Sequence, residues 1–221
     1  MEEHTDSDRA IVFDRLGDWV LGAVLWISGC VVALGGAALY YGVTRQGVAD
    51  LIREGEFRSD VLTEAEAIDL ITALSHWSGI GLLVSGASII LIGVAVVVVH
   101  RRARRDNRGT PAWILGVVGA TVAAVLSFVP FSPVLGGAAA GYLDSTHDSR
   151  GISVGALAGV FGSLPLLIIG LFTSAGLFVS SPPEAVTAVA ILLGIAVFMS
   201  LVYFVGLSAL GGFVGKWVRK R

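Results

Sequence analysis

The chain has 221 residues, of which 55% are apolar and only 14% are charged, and its mean hydropathy is +0.82. A soluble domain is usually about a quarter charged, so this composition excludes an ordinary soluble domain and favours an integral membrane protein. The few basic residues are confined to short segments, which argues against nucleic-acid binding, and the single cysteine, Cys30, excludes a disulfide framework within the chain.

The first apolar stretch, residues 19–43, contains no charged residue. It follows an acidic N-terminal segment, residues 1–18, whereas a secretory signal begins with basic residues. Trp19 at one end and Tyr40 and Tyr41 at the other suit the aromatic belts of a membrane interface. We therefore predict a retained first transmembrane helix.

The polar connection that follows, residues 44–76, is predicted to contain a short amphipathic helix. Thr63 and Glu66 have the spacing of a capping box. The apolar face that follows predicts a helix over residues 64–75, formed by Ala67, Ile68, Ile71 and Leu74. This helix either lies on the membrane surface or runs directly into the second span.

The second span is predicted over residues 77–99, and it ends at a basic cluster. We expect the arginines of this cluster to set the membrane topology and to bind anionic lipid headgroups, each contributing on the order of 1 kcal/mol. They are Arg101, Arg102, Arg104 and Arg105.

Residues 112–143 allow two interpretations. Residues 112–129 are apolar, but prolines at positions 130 and 133 disfavour helix in the residues before them. Residues 134–143 would cover only about half of the hydrocarbon core at about 1.5 Å per residue. The segment is therefore either one broken span or a hairpin with a short, glycine-rich second arm.

Two further spans are predicted, residues 152–176 with a kink at Pro165 and residues 186–209, before a basic tail at 216–221. The positive-inside rule places basic segments in the cytoplasm, and a hairpin over 112–143 keeps both of them there. We therefore predict an all-α, polytopic plasma-membrane protein with five to six membrane segments, preferably six, and both termini cytoplasmic.

The predicted organisation has three parts. Residues 1–18 form the acidic cytoplasmic N-terminus, and residues 19–108 form a two-span unit with an acidic outer loop. Residues 110–221 form a glycine-rich membrane unit with a basic cytoplasmic tail.

Glycine recurs at helical spacing in the last of these parts. Gly151, Gly155 and Gly159 are four residues apart and share one helix face, and Gly137 and Gly141 form a second pair. In lipid, small residues let helix backbones approach closely. We predict helix packing at these glycines, preferentially within one chain, with packing between subunits or a pore lining as alternatives.

These motifs carry a resemblance to a known group. Gly136 to Leu143, read as GGAAAGYL, a short polar loop and then the Gly151–Gly159 face resemble a small uncharacterised membrane-protein family of halophilic archaea. The resemblance covers about residues 112–210 and implies a membrane location, but it carries no activity. The two-span unit departs from the family as an addition.

Asp144, His147 and Asp148 lie within five residues and are the candidate donors for a divalent cation. A membrane enzyme would have to use these three residues. We favour the simpler interpretation of a solvated turn, with Asp144 as a cap and Arg150 as its partner. We therefore predict neither a cofactor nor a metal.

The predicted spans contain no acidic, basic or histidine residue between their boundaries. Ion pathways usually need such groups inside the membrane, and the chain contains no HExxH or GxxxxGK[ST] motif. The sequence therefore favours a non-catalytic multi-pass membrane protein that packs with itself or a membrane partner through its glycine faces. The alternative is a channel or carrier that uses the proline-broken segment 130–143.

Overall fold

The computed structural model describes residues 3–55, 62–105, 110–144, 150–181 and 183–221, without the side chains of residues 3–16, 18, 104 and 183–185. Within these ranges the chain is all-α, as predicted. It forms seven helices and no strand: α1 (Glu3–Gly42), α2 (Arg45–Glu54), α3 (Glu64–Arg105), α4 (Ala112–Val125), α5 (Ser132–Leu143), α6 (Gly151–Ser180) and α7 (Pro183–Arg219).

Four of the described helices are long and apolar enough to cross a membrane. The apolar stretches are Trp19–Gly42 in α1, Glu64–Ala103 in α3, Gly151–Ser180 in α6 and Val186–Arg219 in α7. Large apolar side chains on them are exposed, a surface that lipid covers and that a soluble monomer rarely presents. These helices are those of a membrane protein.

The short amphipathic helix of the first connection is α2, which the sequence analysis missed. Thr44 caps it, because its side-chain oxygen accepts a hydrogen bond of 3.2 Å from the Gly47 amide. Val48 and Ile52, one helical turn apart, are buried against residues 67 and 68 of α3. Burial of this apolar pair anchors α2.

The predicted helix at residues 64–75 is the beginning of α3. Thr63 and Glu66 form the predicted capping box: the Thr63 amide donates to Glu66 Oε2 at 2.8 Å, and the Glu66 amide donates to Thr63 Oγ1 at 3.3 Å. From this cap the helix continues without interruption to Arg105. Of the two expected arrangements, the one in which the helix runs into the second span is confirmed.

The chain divides into two compact units, one of Met1–Ser28, Ser88–Ser163 and Leu201–Arg221, the other of Gly29–Ala87 and Leu164–Ser200. In the second unit, α1 and α3 meet through Gly36 and Gly79. A Cβ built on Gly36 would lie 2.7 Å from the Gly79 carbonyl oxygen. In the same unit, Ser85 Oγ donates to the Pro165 carbonyl oxygen at 3.2 Å.

The three-part organisation predicted from the sequence, with boundaries after residues 18 and 108, stays a prediction.

Residues 112–143 fold as a hairpin in the first unit. A Cβ on Gly119 would lie 2.8 Å from the Ala140 Cβ, and one on Gly136 would lie 2.7 Å from the Ala123 Cβ, so α4 and α5 pack antiparallel. The arms have 14 and 12 residues. At about 1.5 Å per residue they reach about 21 and 18 Å, less than the core of about 30 Å. Neither arm spans alone, and the count of five to six segments stays a prediction.

The turn of the hairpin contains an unusual backbone conformation. Phe131, between Pro130 and Pro133, has φ 63° and ψ 25° and is the only non-glycine residue with positive φ in the described part of the chain. The left-handed region costs an L-residue roughly 1–2 kcal/mol. Phe131 itself is 62% exposed, so its ring gains little from burial to offset that cost.

We therefore expect Phe131→Gly to raise the free energy of unfolding by about 1 kcal/mol, because glycine adopts this conformation without strain. Thermal unfolding in detergent measures the effect. Phe128→Gly is the matched control: it lies in the same turn, is 80% exposed and lacks a positive φ. That control should leave stability unchanged or lower it, and equal responses of the two variants would contradict the assignment of strain to Phe131.

Candidate functional site

The second half of α7 packs against the backbones of α5 and α6. It runs parallel to α5, because Val134 and Ala138 of α5 meet residues 211 and 215 in the same order along both helices. It runs antiparallel to α6, because Gly151 meets residue 212 whereas Gly159 meets residues 204 and 205. We call this contact the glycine seam, formed by Gly137, Gly141, Gly151, Gly155, Gly159, Ser208, Gly211, Gly212 and Gly215.

The α6 side of the seam is the face predicted from the sequence. A Cβ on Gly151 would lie 2.6 Å from the Gly212 carbonyl oxygen, and one on Gly159 would lie 2.6 Å from Val205 Cα. Gly155 and Gly212 oppose each other, since a Cβ on Gly155 would lie 2.8 Å from Gly212 Cα. At this separation neither helix has room for a side chain.

The α5 side is equally close. A Cβ on Gly137 would overlap the carbonyl oxygen of Ser208, and one on Gly141 would overlap that of Gly212. Beside the seam, Ala140 of α5 and Val154 of α6 are buried in an apolar cluster with Leu115 of α4. All five glycines singled out from the sequence therefore lie against α7 in the same chain.

The α7 side was not identified from the sequence. Ser208, Gly211, Gly212 and Gly215 form two small-xxx-small pairs, 208 with 212 and 211 with 215. The same four-residue spacing that identified α5 and α6 was therefore present in α7 as well. These residues lie between the predicted last span, residues 186–209, and the basic tail, residues 216–221, so most of them fell outside the predicted spans.

A buried ion pair closes one end of the seam. Lys216 Nζ of α7 lies 3.0 Å from Asp144 Oδ2, and the two side chains are 9% and 5% exposed. Lys216 Nζ also donates to the Asp144 carbonyl oxygen at 2.9 Å, and Arg219 Nη1 donates to the Tyr142 carbonyl oxygen at 2.8 Å. Cations from α7 therefore satisfy carbonyl groups at the C-terminus of α5.

The other end of α5 is also tied to α7. Ser208 Oγ donates to the Pro133 carbonyl oxygen at 2.9 Å, and Ser208 is 2% exposed. A buried hydroxyl needs such a partner. The polar groups of the seam thus hold helix ends in place.

The candidate cation site is only partly described. Asp144 is engaged with Lys216, whereas His147 and Asp148 lie outside the described residues. In the part of the chain that is described, no three His, Cys, Asp or Glu residues form a group that could hold a metal ion. Arg150 was the predicted partner of Asp144, and the ion pair with Lys216 was not predicted.

The basic cluster lies at the end of α3. Arg101, Arg102 and Arg105 are exposed, and the Arg104 side chain is not described. The Arg101 guanidinium lies 5.8 Å from the centre of the Trp19 ring, within the range of a cation–π contact. Their role in headgroup binding stays a prediction.

The seam predicts opposite effects for two alanine substitutions in α7. Gly212→Ala places a methyl group 2.7 Å from Gly155 Cα and should lower the free energy of unfolding by about 1–3 kcal/mol through overpacking. Gly206→Ala meets nothing within 4 Å and should raise it by up to about 1 kcal/mol through helix propensity. Thermal unfolding in the same detergent compares them, and a stable Gly212→Ala variant would contradict the tight seam.

The ion pair predicts coupling between its partners. Lys216→Met removes the cation 3.0 Å from the buried Asp144 carboxylate and should lower the free energy of unfolding by about 3–5 kcal/mol. The double variant with Asp144→Asn should be more stable than the sum of the single changes predicts. A double-mutant cycle of unfolding free energies measures this, with Lys220→Gln, an exposed lysine of the same tail, as the control. Strict additivity would contradict direct pairing.

Residues 113–218 match the model of a protein family described as "Family of unknown function (DUF5518)". No curated protein and no solved structure matches the chain. The matched range contains the hairpin, α6 and the whole glycine seam, and it agrees with the expected resemblance to an uncharacterised family over about residues 112–210. An origin in halophilic archaea stays a prediction. Over α4 to α7 the chain is therefore similar to a family whose function is unknown.

Proposed function

We propose that the chain is a non-catalytic multi-pass membrane protein that acts by packing with itself or with a membrane partner. The observation that carries this proposal is the exposed small-residue surface of α7 at Ala190 and Gly194. Within the chain, the glycine seam holds α7 backbone to backbone against α5 and α6. Such packing in lipid builds a defined helical surface rather than a reactive site. The protein and the lipid bilayer are then the partners, and neither nucleic acid nor a cofactor takes part.

The buried polar groups support a structural role. Ser208 binds the Pro133 carbonyl, Ser85 binds the Pro165 carbonyl, and Lys216 binds the Asp144 carbonyl. Each of these bonds joins a side chain of one helix to the backbone of another helix or its end. They fix helices against one another.

Association in trans uses a surface other than the seam, because the five predicted glycines are occupied within the chain. The first half of α7 offers such a surface. Ala190 and Gly194, one helical turn apart, are exposed, and a Cβ on Gly194 would meet nothing within 4 Å. Large apolar side chains beside them are also exposed, Leu192 at 67% and Ile195 at 53%. Exposed small residues on a membrane helix allow a second helix to approach closely.

The topology that we propose places both termini in the cytoplasm of a plasma-membrane protein. Arg101 lies by Trp19, at the start of the first apolar stretch, and Lys216 lies by Asp144, where the hairpin ends. Because the hairpin is antiparallel, it returns the chain to the side from which it entered. The basic segments then share one side, as the positive-inside rule requires.

A channel or carrier is the second candidate. The left-handed Phe131 and the two half-length helices resemble the broken helices that line transporter cavities. The Pro133 carbonyl in the first turn of α5 accepts a hydrogen bond from Ser208, however, so this group is committed to packing. Solute flux into liposomes above that of empty vesicles would favour this candidate over a packing role.

Self-association is tested by substituting exposed glycines at which an added Cβ would meet no neighbouring atom. Gly194→Leu should lower the dimer fraction several-fold, because a bulky residue separates helices that small residues let approach. The fraction is measured by single-molecule photobleaching in vesicles at fixed protein density. Gly35→Leu is the matched control, since Gly35 is exposed on α1 and a Cβ there also meets nothing within 4 Å.

Two results would contradict the proposal. One is a wild-type chain that stays monomeric in vesicles and co-purifies with no membrane protein. The other is an equal response of Gly194→Leu and Gly35→Leu, which would assign association to general crowding rather than to the α7 surface.

A further inference from the structure

An apolar groove runs between the first apolar turns of α1 and the last turns of α3, within the first unit. Its volume is about 360 Å³, and its wall includes Trp19, Ala23, Trp26, Val94, Val98 and Arg101. This volume falls at the lower end of the range for ligand pockets, about 300–1,000 Å³. The groove uses α1 and α3, whereas the glycine seam uses α5, α6 and α7.

Two glycines let the helices approach each other beside the groove. A Cβ on Gly22 would lie 3.0 Å from Val97 Cγ2, and a Cβ on Gly93 would lie 3.1 Å from the Trp26 ring. The helices are therefore close at these points, while the indoles of Trp19 and Trp26 stand 68% and 51% exposed beside them. The result is a channel with apolar walls that is open along one side.

One end of the groove carries a positive charge. The Arg101 guanidinium lies 5.8 Å from the centre of the Trp19 ring, and tryptophan at the end of an apolar stretch marks the headgroup level of a membrane. Among the residues that the structure describes, no carboxylate forms an ion pair with Arg101. Its planar fork of donors is therefore oriented at the interface and suits a phosphate group.

We propose that this groove binds a phospholipid with a net anionic headgroup, with one acyl chain along the groove and the phosphate on Arg101. An occupant must be apolar along its length and negative at one end, which is the chemistry of such a lipid. From Trp19 to Trp26, and likewise from Val94 to Arg101, the wall extends about 10 Å at about 1.5 Å per residue. A groove of this length holds the part of the acyl chain nearest the headgroup, and the rest of the acyl chain stays in the bilayer.

The groove differs from the general surface charge at the end of α3. Arg102 and Arg105 are also exposed, but neither lines the groove. Retention of an acyl chain therefore depends on Arg101 and on the space beside Ala23, whereas nonspecific attraction to an anionic bilayer depends on all these arginines alike.

The test is native mass spectrometry of the delipidated full-length protein titrated with phosphatidylglycerol or with phosphatidylcholine. We expect the first phosphatidylglycerol to bind more tightly than phosphatidylcholine, and Arg101→Gln to weaken it by about fivefold, the factor expected for one basic residue near a headgroup. Arg105→Gln is the matched control and should change the affinity of this site by less than about twofold, since Arg105 does not line the groove and acts on the bound headgroup only as a screened surface charge.

A second pair of variants tests the groove itself. Ala23→Trp fills the space beside the exposed Ala23 and should abolish the tight phosphatidylglycerol site, while Ala38→Trp, at an exposed position of α1 outside the groove, should preserve it. Equal affinities for the two lipids, an equal loss in Arg101→Gln and Arg105→Gln, or an unchanged site in Ala23→Trp would each overturn the proposal. Because the dimer fraction is measured separately, failure here leaves the proposed self-association untouched.

Discussion

The close approach of α7 to α5 and α6 is the constraint on which the rest of the C-terminal half depends. Helices in lipid gain little from burying apolar surface against one another, because lipid tails are as apolar as leucine. What remains is dispersion and weak Cα–H···O contact, and both fall off steeply with distance. The seam reaches the necessary distance because side chains are absent on both sides at once: Gly155 opposes Gly212, and neither has room for a Cβ.

The same approach explains how a short helix stays in place at depth. α5 has 12 residues and is bound to α7 near both ends, by Ser208 at Pro133 and by Lys216 at Asp144. Between these bonds, Gly137 and Gly141 lie directly on the α7 backbone. The parallel packing on α7 therefore covers α5 along its length.

Local sequence pattern predicts where most of the helices lie, but it does not predict which helices pack against each other. Hydropathy located the four long helices, and the prolines at 130 and 133 located the hairpin turn. Glycine spacing identified the faces of α5 and α6, because a four-residue period is a property of one helix. It did not identify α7 as their partner, since no periodicity in one helix specifies which other helix it meets.

Two further features could not be predicted from local sequence pattern. Asp144 and Lys216 are 72 residues apart, and nothing near either residue in the sequence indicates the other. The amphipathic helix α2 was missed because residues 44–54 are mostly polar and only Val48 and Ile52 are buried. The capping box at Thr63 was recognised, because reciprocal caps are local; the length of the helix that follows depends on the apolar stretch beyond.

The family match covers most of the helix packing around α5. The matched range, residues 113–218, begins within the first turn of α4 and ends between Lys216 and Arg219, the two cations that bind the end of α5. A hairpin whose arms do not span needs α6 and α7 to cover it, and α7 needs its last turns to close α5. The part of the chain that is similar to the family therefore holds most of the hairpin, α6 and most of α7, whereas the apolar groove is formed by α1 and α3, outside the matched range.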